Sequence, residues 1–566
     1  MLAHLCDAHM AILFLVSCTV HFVGSRHNEL TLDDKHTILR NPVIQSNVFP
    51  SFNDLITRDF WGDPLDAPHS HQSFRPVTTL SFWMDAGGAP ATSSSAYRLH
   101  CHNILLHSCC SVLVAILCRR LGANTNQSLL GGLLFAVHPV TTESVASISG
   151  RAELLAALFG MLYYLILVDK RFHITLRLLV GFPLAFLATF SKEVGFACTV
   201  IVVIQLWTQP TIHSSDGGGP LSAIIVAIVV GFVRVWFVKS TPNFSVADNP
   251  LTNHSLPLSR RVFSKIHINV QSLLKLMNPF CRSCPDYSGP ACPLVEKMHW
   301  LDQRMVVSML AVMIMLVVLL KIWRERNTSS PSFRCRRRRR RRTLFIALLW
   351  WIVPMSIASN IVLHVGFCMA ERTLYSPLIG VTLLVSTIVL PWLDSITKAS
   401  SRRRTACCCV LLIFYVAMTV RSVNRDRAWS SNLSLWSSAE IDGCIPTSRS
   451  LNNLGKAHQR TGNVSMSREL YLRALAIDPG APLPYFNLGM LEMKEGRNLK
   501  AVEFYLKAVE RHPKHVASWN NIGACFLQLG DAEKAIKHLQ RGLEFAPLDS
   551  GLTNNLKAAM EMLAEG

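Results

Sequence analysis

Leu221-Ser222-Ala223-Ile224-Ile225-Val226-Ala227-Ile228-Val229-Val230-Gly231-Phe232 carries no charge at all, whereas Arg336 to Arg342 is an unbroken run of arginine. Charge-free stretches beside concentrated basic connections mark a chain that crosses a bilayer, where each helical span needs about 20 mainly apolar residues that pair their own backbone groups. Composition agrees. Only 16% of the 566 residues are charged, mean hydropathy is +0.30 and the net charge is +20. Soluble domains carry about 25% charge, so a disordered polyelectrolyte is excluded. Seventeen Cys in this length are too few for a disulfide-scaffolded mini-protein.

Working outward from 221–238, the same reading predicts spans near 8–24, 103–118, 128–147, 152–169, 175–190, 192–208, 305–322, 343–364, 375–394 and 405–420. The expectation is an all-α, polytopic membrane helical bundle of about 11 spans over 1–424. Residues 8–24 lack the basic leader of a secretory signal and are read as a retained span. Lys and Arg favour cytosolic connections. Arg119/Arg120, Lys170/Arg171/Arg177, the loop 324–342 with ten Arg against Glu325, and Lys398 to Arg404 all fall on one side if the first helix enters from the cytosol. The long loops 25–100 and 239–303 then lie on the luminal face, as does everything beyond 421. Sequons at Asn243, Asn253, Asn432 and Asn463 share that face, while those at Asn126 and Asn327 do not. Between two apolar spans the arginine run reads as a topology anchor that attracts anionic membrane lipids, and not as a nucleic-acid site.

After a linker at 425–445 the composition turns polar, and a 34-residue offset emerges in 446–566. Asn453-Leu454-Gly455, Asn487-Leu488-Gly489 and Asn521-Ile522-Gly523 recur at that spacing. So do Gly462, Gly496 and Gly530; Tyr471 and Tyr505; Ala474, Ala508 and Gly542; and Pro479, Pro513 and Pro547. This resembles the tetratricopeptide pattern of stacked helix pairs. It implies repeats at about 449–482, 483–516 and 517–550 with a cap helix over Leu552–Leu563, forming an α-solenoid. Such scaffolds bind peptides far more often than they catalyse. The row Asn453, Asn487 and Asn521 is expected to line the concave face, where amides grip an extended acceptor peptide; local helix packing is the plainer alternative.

The chemistry-bearing residues gather at loop starts and span ends. Asp33 and Asp34 follow the first span, where a carboxylate beside the membrane suits a general base that strips a hydroxyl proton. Arg75, His138, Glu143, Arg151, Glu153, Lys192, Glu193, Glu371 and Arg372 sit at predicted luminal span ends. Ionisable groups at membrane depth cost several kcal/mol and usually line a functional cavity, and guanidinium forks match phosphate oxygens. His69/His71, His100/His102 and Cys281-x-x-Cys284 with Cys292 are weaker metal candidates, and a luminal loop favours disulfides instead. Cys407-Cys408-Cys409, beside Arg402 to Arg404, invites acylation on the cytosolic side.

Taken together these motifs resemble the transmembrane and tetratricopeptide-repeat-containing O-mannosyltransferase family. The resemblance rests on Leu32-Asp33-Asp34, Ser70 to Leu80, His138 to Ala146 with Gly150-Arg151-Ala152-Glu153, Ser191-Lys192-Glu193-Val194-Gly195, Asp248-Asn249-Pro250, Cys284-Pro285-Asp286, Pro293-Leu294-Val295 and Ala370 to Tyr375, in one order along the chain. It implies a C-type glycosyltransferase fold in the endoplasmic reticulum membrane with luminal repeats. It further implies dolichyl-phosphate mannose as donor and Ser/Thr hydroxyls, thought to be those of cadherins, as acceptors. Asp33 and Asp34 would hold the base; Arg75, Arg151, Lys192 and Arg372 would bind the donor phosphate; His138, Glu143, Glu193 and Glu371 would line the cavity. No metal or cofactor is required. Three repeats are fewer than the family usually carries, and 86–96 reads as a flexible insert. The reading from another class is a membrane scaffold whose repeats bind clients or chaperones without catalysis.

Overall fold

The computed structural model describes residues 8–25, 29–67, 70–87, 91–169, 171–208, 218–238, 249–252, 255–292, 294–295, 302–324, 331–361, 365–397 and 400–565. His69, the sequons at Asn243, Asn253 and Asn327, and Asp248 of the resemblance lie outside them. Among the described residues regular structure is helical, and β pairing is limited to an isolated bridge between Arg58 and Pro64. Two compact units form: Met1–Ser283 with Cys292–Ser434, and Cys284–Ala291 with Leu435–Gly566.

Among the described residues of the first unit eight helices are long and apolar enough to cross a membrane: Ala8–Ser25, Ala96–Leu121, Arg151–Val168, Ile174–Ser191, Pro220–Phe237, Arg341–Ala358, Glu371–Ser395 and Ser401–Ala428. Glu193–Trp207 and Gln303–Ile314 are shorter apolar helices. The predicted span 128–147 is a pair, Thr125–Ala136 and Pro139–Ala146, bent by 47°.

That bend has a local cause. Pro139 has no N–H to donate, and the amide of Val140 bonds the ring of His138 at 3.2 Å instead of a carbonyl one turn back. The carbonyls of Ala136 and Val137 therefore lose their helical partners. Three other helices supply replacements. His21 Nε2 and His107 Nε2 both donate to the Ala136 oxygen, at 3.0 and 3.1 Å, and Ser422 Oγ donates to that of Val137 at 2.7 Å. Each buried carbonyl left unmet costs about 1–3 kcal/mol, so the break ties Ala8–Ser25, Ala96–Leu121 and Ser401–Ala428 together. With both Nε2 atoms donating, His107 Nδ1 accepts from the Tyr375 hydroxyl at 2.8 Å, and His21 Nδ1 meets the Asp426 carboxyl at 2.8 Å. Small residues close the helix contacts: a Cβ on Gly132 would strike Leu13 and Ala115, and one on Gly380 would strike the Ala347 backbone. Pro220–Phe237 turns Leu221, Ile225, Ile228 and Phe232 outward, each more than half exposed. At i, i+4, i+7, i+11 they form one stripe, the face that hydrocarbon covers.

The second unit stacks helix pairs Ser448–Arg460/Val464–Ile477, Pro482–Lys494/Asn498–Arg511 and Val516–Gln528/Ala532–Phe545, closed by Ser550–Glu565. Gly462, Gly496 and Gly530 turn each pair at φ of 83°, 76° and 76°, a conformation only glycine adopts without cost. Tyr471, Tyr505 and Leu539 fill equivalent buried positions between the paired helices. Cys284–Ala291 joins this unit through a Cys284–Cys444 disulfide and a 2.6 Å hydrogen bond from Thr447 Oγ1 to Asp286. Cys292 bonds Cys368 in the first unit. Cys284 and Cys292 are thus bonded to distant cysteines of later segments, and not to one shared metal.

Candidate active site

Leu32 adopts φ 49°, a left-handed conformation that costs a bulky L-residue about 1–2 kcal/mol. Its amide is held by Asn432 Oδ1 at 3.0 Å. The two acidic residues that follow it meet different surroundings. Asp34 is fully buried: one carboxylate oxygen accepts from the Ser149 amide at 2.8 Å and the Ser147 hydroxyl at 3.1 Å. Burial pushes its pKa up to about 6, against the opposing pull of those backbone donors. Asp33 stays 29% exposed and meets Arg372 Nη1 at 3.1 Å.

The raised value has a testable consequence. Folded Asp34 keeps its proton to about pH 6, whereas the unfolded chain releases it near 3.8. Its contribution to stability is complete below pH 3.8 and is lost as pH rises through about 6. Thermal unfolding of detergent-solubilised protein should show a pH slope across that window that Asp34→Asn flattens. A slope unchanged in the variant would assign it to other groups.

Arg372 belongs to the turn Glu371–Leu374, and Glu143 to the short helix Thr142–Ala146. Glu143 accepts the Arg372 amide at 3.0 Å and faces its guanidinium at 3.8 Å. Lys192, at the end of Ile174–Ser191, pairs with Glu153 in the first turn of Arg151–Val168. It lies within electrostatic reach of both Arg75 and Arg372. Arg75, immediately before Pro76–Ala86, bonds Glu193 at 3.0 Å, and Glu193 is held on its other side by Arg234 at 2.7 Å. The fold thus brings three ion-paired groups within electrostatic reach of one another: Arg372 with Asp33 and Glu143, Lys192 with Glu153, and Arg75 with Glu193. These cations are all paired, so an incoming anion displaces a carboxylate and does not fill an empty cradle.

Arg151 departs from its expected role. It is 1% exposed, and its donors go to Asn103 Oδ1 at 2.8 Å, Leu99 O at 2.9 Å, Ser81 O and the Asp85 carboxylate, with its plane over Phe82. All three guanidinium nitrogens are committed to protein, so it locks Pro76–Ala86 and Ala96–Leu121 onto Arg151–Val168 and holds nothing out to a phosphate. His138 likewise serves the bend described above. Glu371 is 1% exposed and pairs with Lys275 at 3.0 Å.

In the repeats Asn487 is buried and its amide donates to Asn452 at 2.8 Å, while that of Asn521 donates to the Tyr505 hydroxyl at 3.2 Å. These two join one repeat to the next and do not line an open groove. Asn453 is half-buried. Sequence reading passed over Arg234, Asp85 and Lys275. A lone Arg inside the apolar run 221–238 was the available signal for the first; Asp85 and Lys275 gave none, since their partners are distant in sequence.

Tetratricopeptide-repeat models match residues 447–477 and 482–547. A Caenorhabditis elegans protein O-mannosyl-transferase is 28% identical over 473 residues, 83% of this chain and 63% of that protein. Protein O-mannosyl-transferase TMTC3 of Mus musculus is 28% identical over 79% of this chain and 49% of its own length. For TMTC4 of Homo sapiens the figures are 29%, 80% and 64%. The chain therefore spans between half and two thirds of the length of these relatives. Over about four fifths of its length the chain is similar to these protein O-mannosyl-transferases.

Proposed function

We propose that this chain transfers mannose from dolichyl-phosphate mannose to Ser/Thr hydroxyls of secretory-pathway proteins, cadherin-type domains among them, at the luminal face of the endoplasmic reticulum membrane. The observation that carries the reading is the Asp33–Arg372 contact, which joins a part-exposed carboxylate to a cation beside Glu143. Of the two acidic neighbours, Asp33 alone retains access. It is the base; Asp34, sealed by Ser147 and Ser149, positions the loop.

The donor phosphate draws Arg372 away from Asp33, assisted by Lys192 and Arg75. That exchange frees the Asp33 carboxylate as the sugar arrives. The acceptor oxygen attacks the anomeric carbon, its proton passes to Asp33, and the bond from that carbon to the phosphate oxygen breaks with inversion. Dolichyl phosphate leaves as a stable anion, held by the cations, so no general acid is needed. The repeat unit presents the acceptor. Purified protein supplied with dolichyl-phosphate mannose or dolichyl-phosphate glucose and a Ser/Thr peptide should transfer mannose alone. Transfer from neither donor by folded protein would end the assignment.

Luminal repeats carry their own expectation. Asn463 is exposed and uses its side-chain oxygen to cap Val464–Ile477 through the Met466 amide, leaving its nitrogen outward. It should bear an N-glycan, read as a glycosidase-sensitive mass shift that Asn463→Gln removes. An unmodified Asn463 with the repeats open to protease outside sealed microsomes would reverse the orientation.

A further inference from the structure

Helix Ser401–Ala428 begins with exposed Arg402, Arg403 and Arg404 and becomes apolar at Val410. Cys407, Cys408 and Cys409 lie at that transition as free thiols. Successive helical positions turn by about 100°, so the three face different surroundings. Cys407 is half-buried and shares its stripe with Leu411, Phe414 and buried Met418, which face the bundle. Cys408 lies under Leu412, and Cys409 under Ile413, Val416 and Val420; these four are 53–67% exposed, the surface hydrocarbon covers. Five helical rises separate Arg404 from Cys409, about 7.5 Å at 1.5 Å each. A guanidinium among lipid phosphates therefore sets Cys408 and Cys409 at the boundary of the acyl chains. The other free thiols among the described residues differ: Cys110, Cys118, Cys198 and Cys525 are buried, Cys18, Cys101 and Cys281 are half-buried, and Cys109, though exposed, has no arginine run beside it.

We propose that Cys408 and Cys409 are S-acylated from fatty acyl coenzyme A on the basic, cytosolic face of this helix. In each case the cysteine sulfur attacks the acyl carbonyl, a new thioester forms as the old one breaks, and the cysteine proton leaves with coenzyme A thiol. The arginines attract the polyanionic coenzyme to the site, and the acyl chain lies against Leu412, Ile413 and Val416. Each methylene that enters the bilayer contributes about 0.8 kcal/mol.

The test is exchange of hydroxylamine-labile groups for a polyethylene-glycol maleimide on the full chain expressed in cells. Two mass steps are expected, falling to one in Cys408→Ser or Cys409→Ser, to none in the double variant, and staying at two in Cys407→Ser. Peptide mass spectrometry of the unmutated chain places the acyl groups without depending on a variant that folds. Two steps surviving in the double variant, or unmodified 407–409 peptide, would overturn the proposal. So would a disulfide there, released by reductant alone, because it would put the triplet in the oxidising compartment.

Discussion

Asp33→Asn should lower mannose transfer by about 10²–10⁴-fold, the range a positioned general base supplies, with the loss in kcat and little change in KM for the acceptor. The substitution keeps the shape of the loop and an oxygen toward Arg372, so the protein folds, and binding of a client to the repeats is untouched. Asp34→Asn should behave differently. It removes a buried ionisable group while preserving an acceptor for the Ser149 amide, and its activity should fall far less. Full activity in Asp33→Asn would remove the base from this loop. Equal losses in both variants would overturn the assignment of the base to Asp33 alone.

The second large effect concerns stability. Arg151→Ala leaves the Asp85 carboxylate, itself only 13% exposed, without its guanidinium partner. It also strips hydrogen bonds from Asn103 and the Leu99 carbonyl. Removing one partner of a buried pair costs about 3–5 kcal/mol, a large fraction of a marginal folding free energy. Little correctly folded protein should be recovered after extraction, and what survives should unfold at a much lower temperature. Arg151→Ala/Asp85→Ala should recover part of the loss, because it removes a carboxylate otherwise left with only the His102 ring at 2.7 Å. A single variant that melts normally and shows only weaker donor binding would return Arg151 to the phosphate.

Much of this was legible in the residues. Helical repeats follow from spacing alone: Gly462, Gly496 and Gly530 demand positive φ in the turn whatever surrounds them, and Tyr471 and Tyr505 need a small residue opposite. Membrane helices follow from the absence of charge in runs such as 221–232, because backbone pairing inside hydrocarbon admits few alternatives. Asp33 and Arg372 were each legible as groups too costly to hold at a membrane boundary without a role.

What composition and spacing could not reveal is which charge meets which. Arg151 and Arg372 look alike in sequence, each within two positions of a glutamate at a span end. Yet one is closed in by Asp85, Asn103 and Phe82, and the other faces a part-exposed carboxylate 339 positions away. Local periodicity determined the helices, their apolar faces and the repeat, since these depend on neighbours within a turn or two. Tertiary packing alone decided the pairing of ions, the accessible member of the Asp33/Asp34 pair and the disulfide partners. Coulomb energy and desolvation depend on distance and burial in space, and neither is written into the order of residues along a chain.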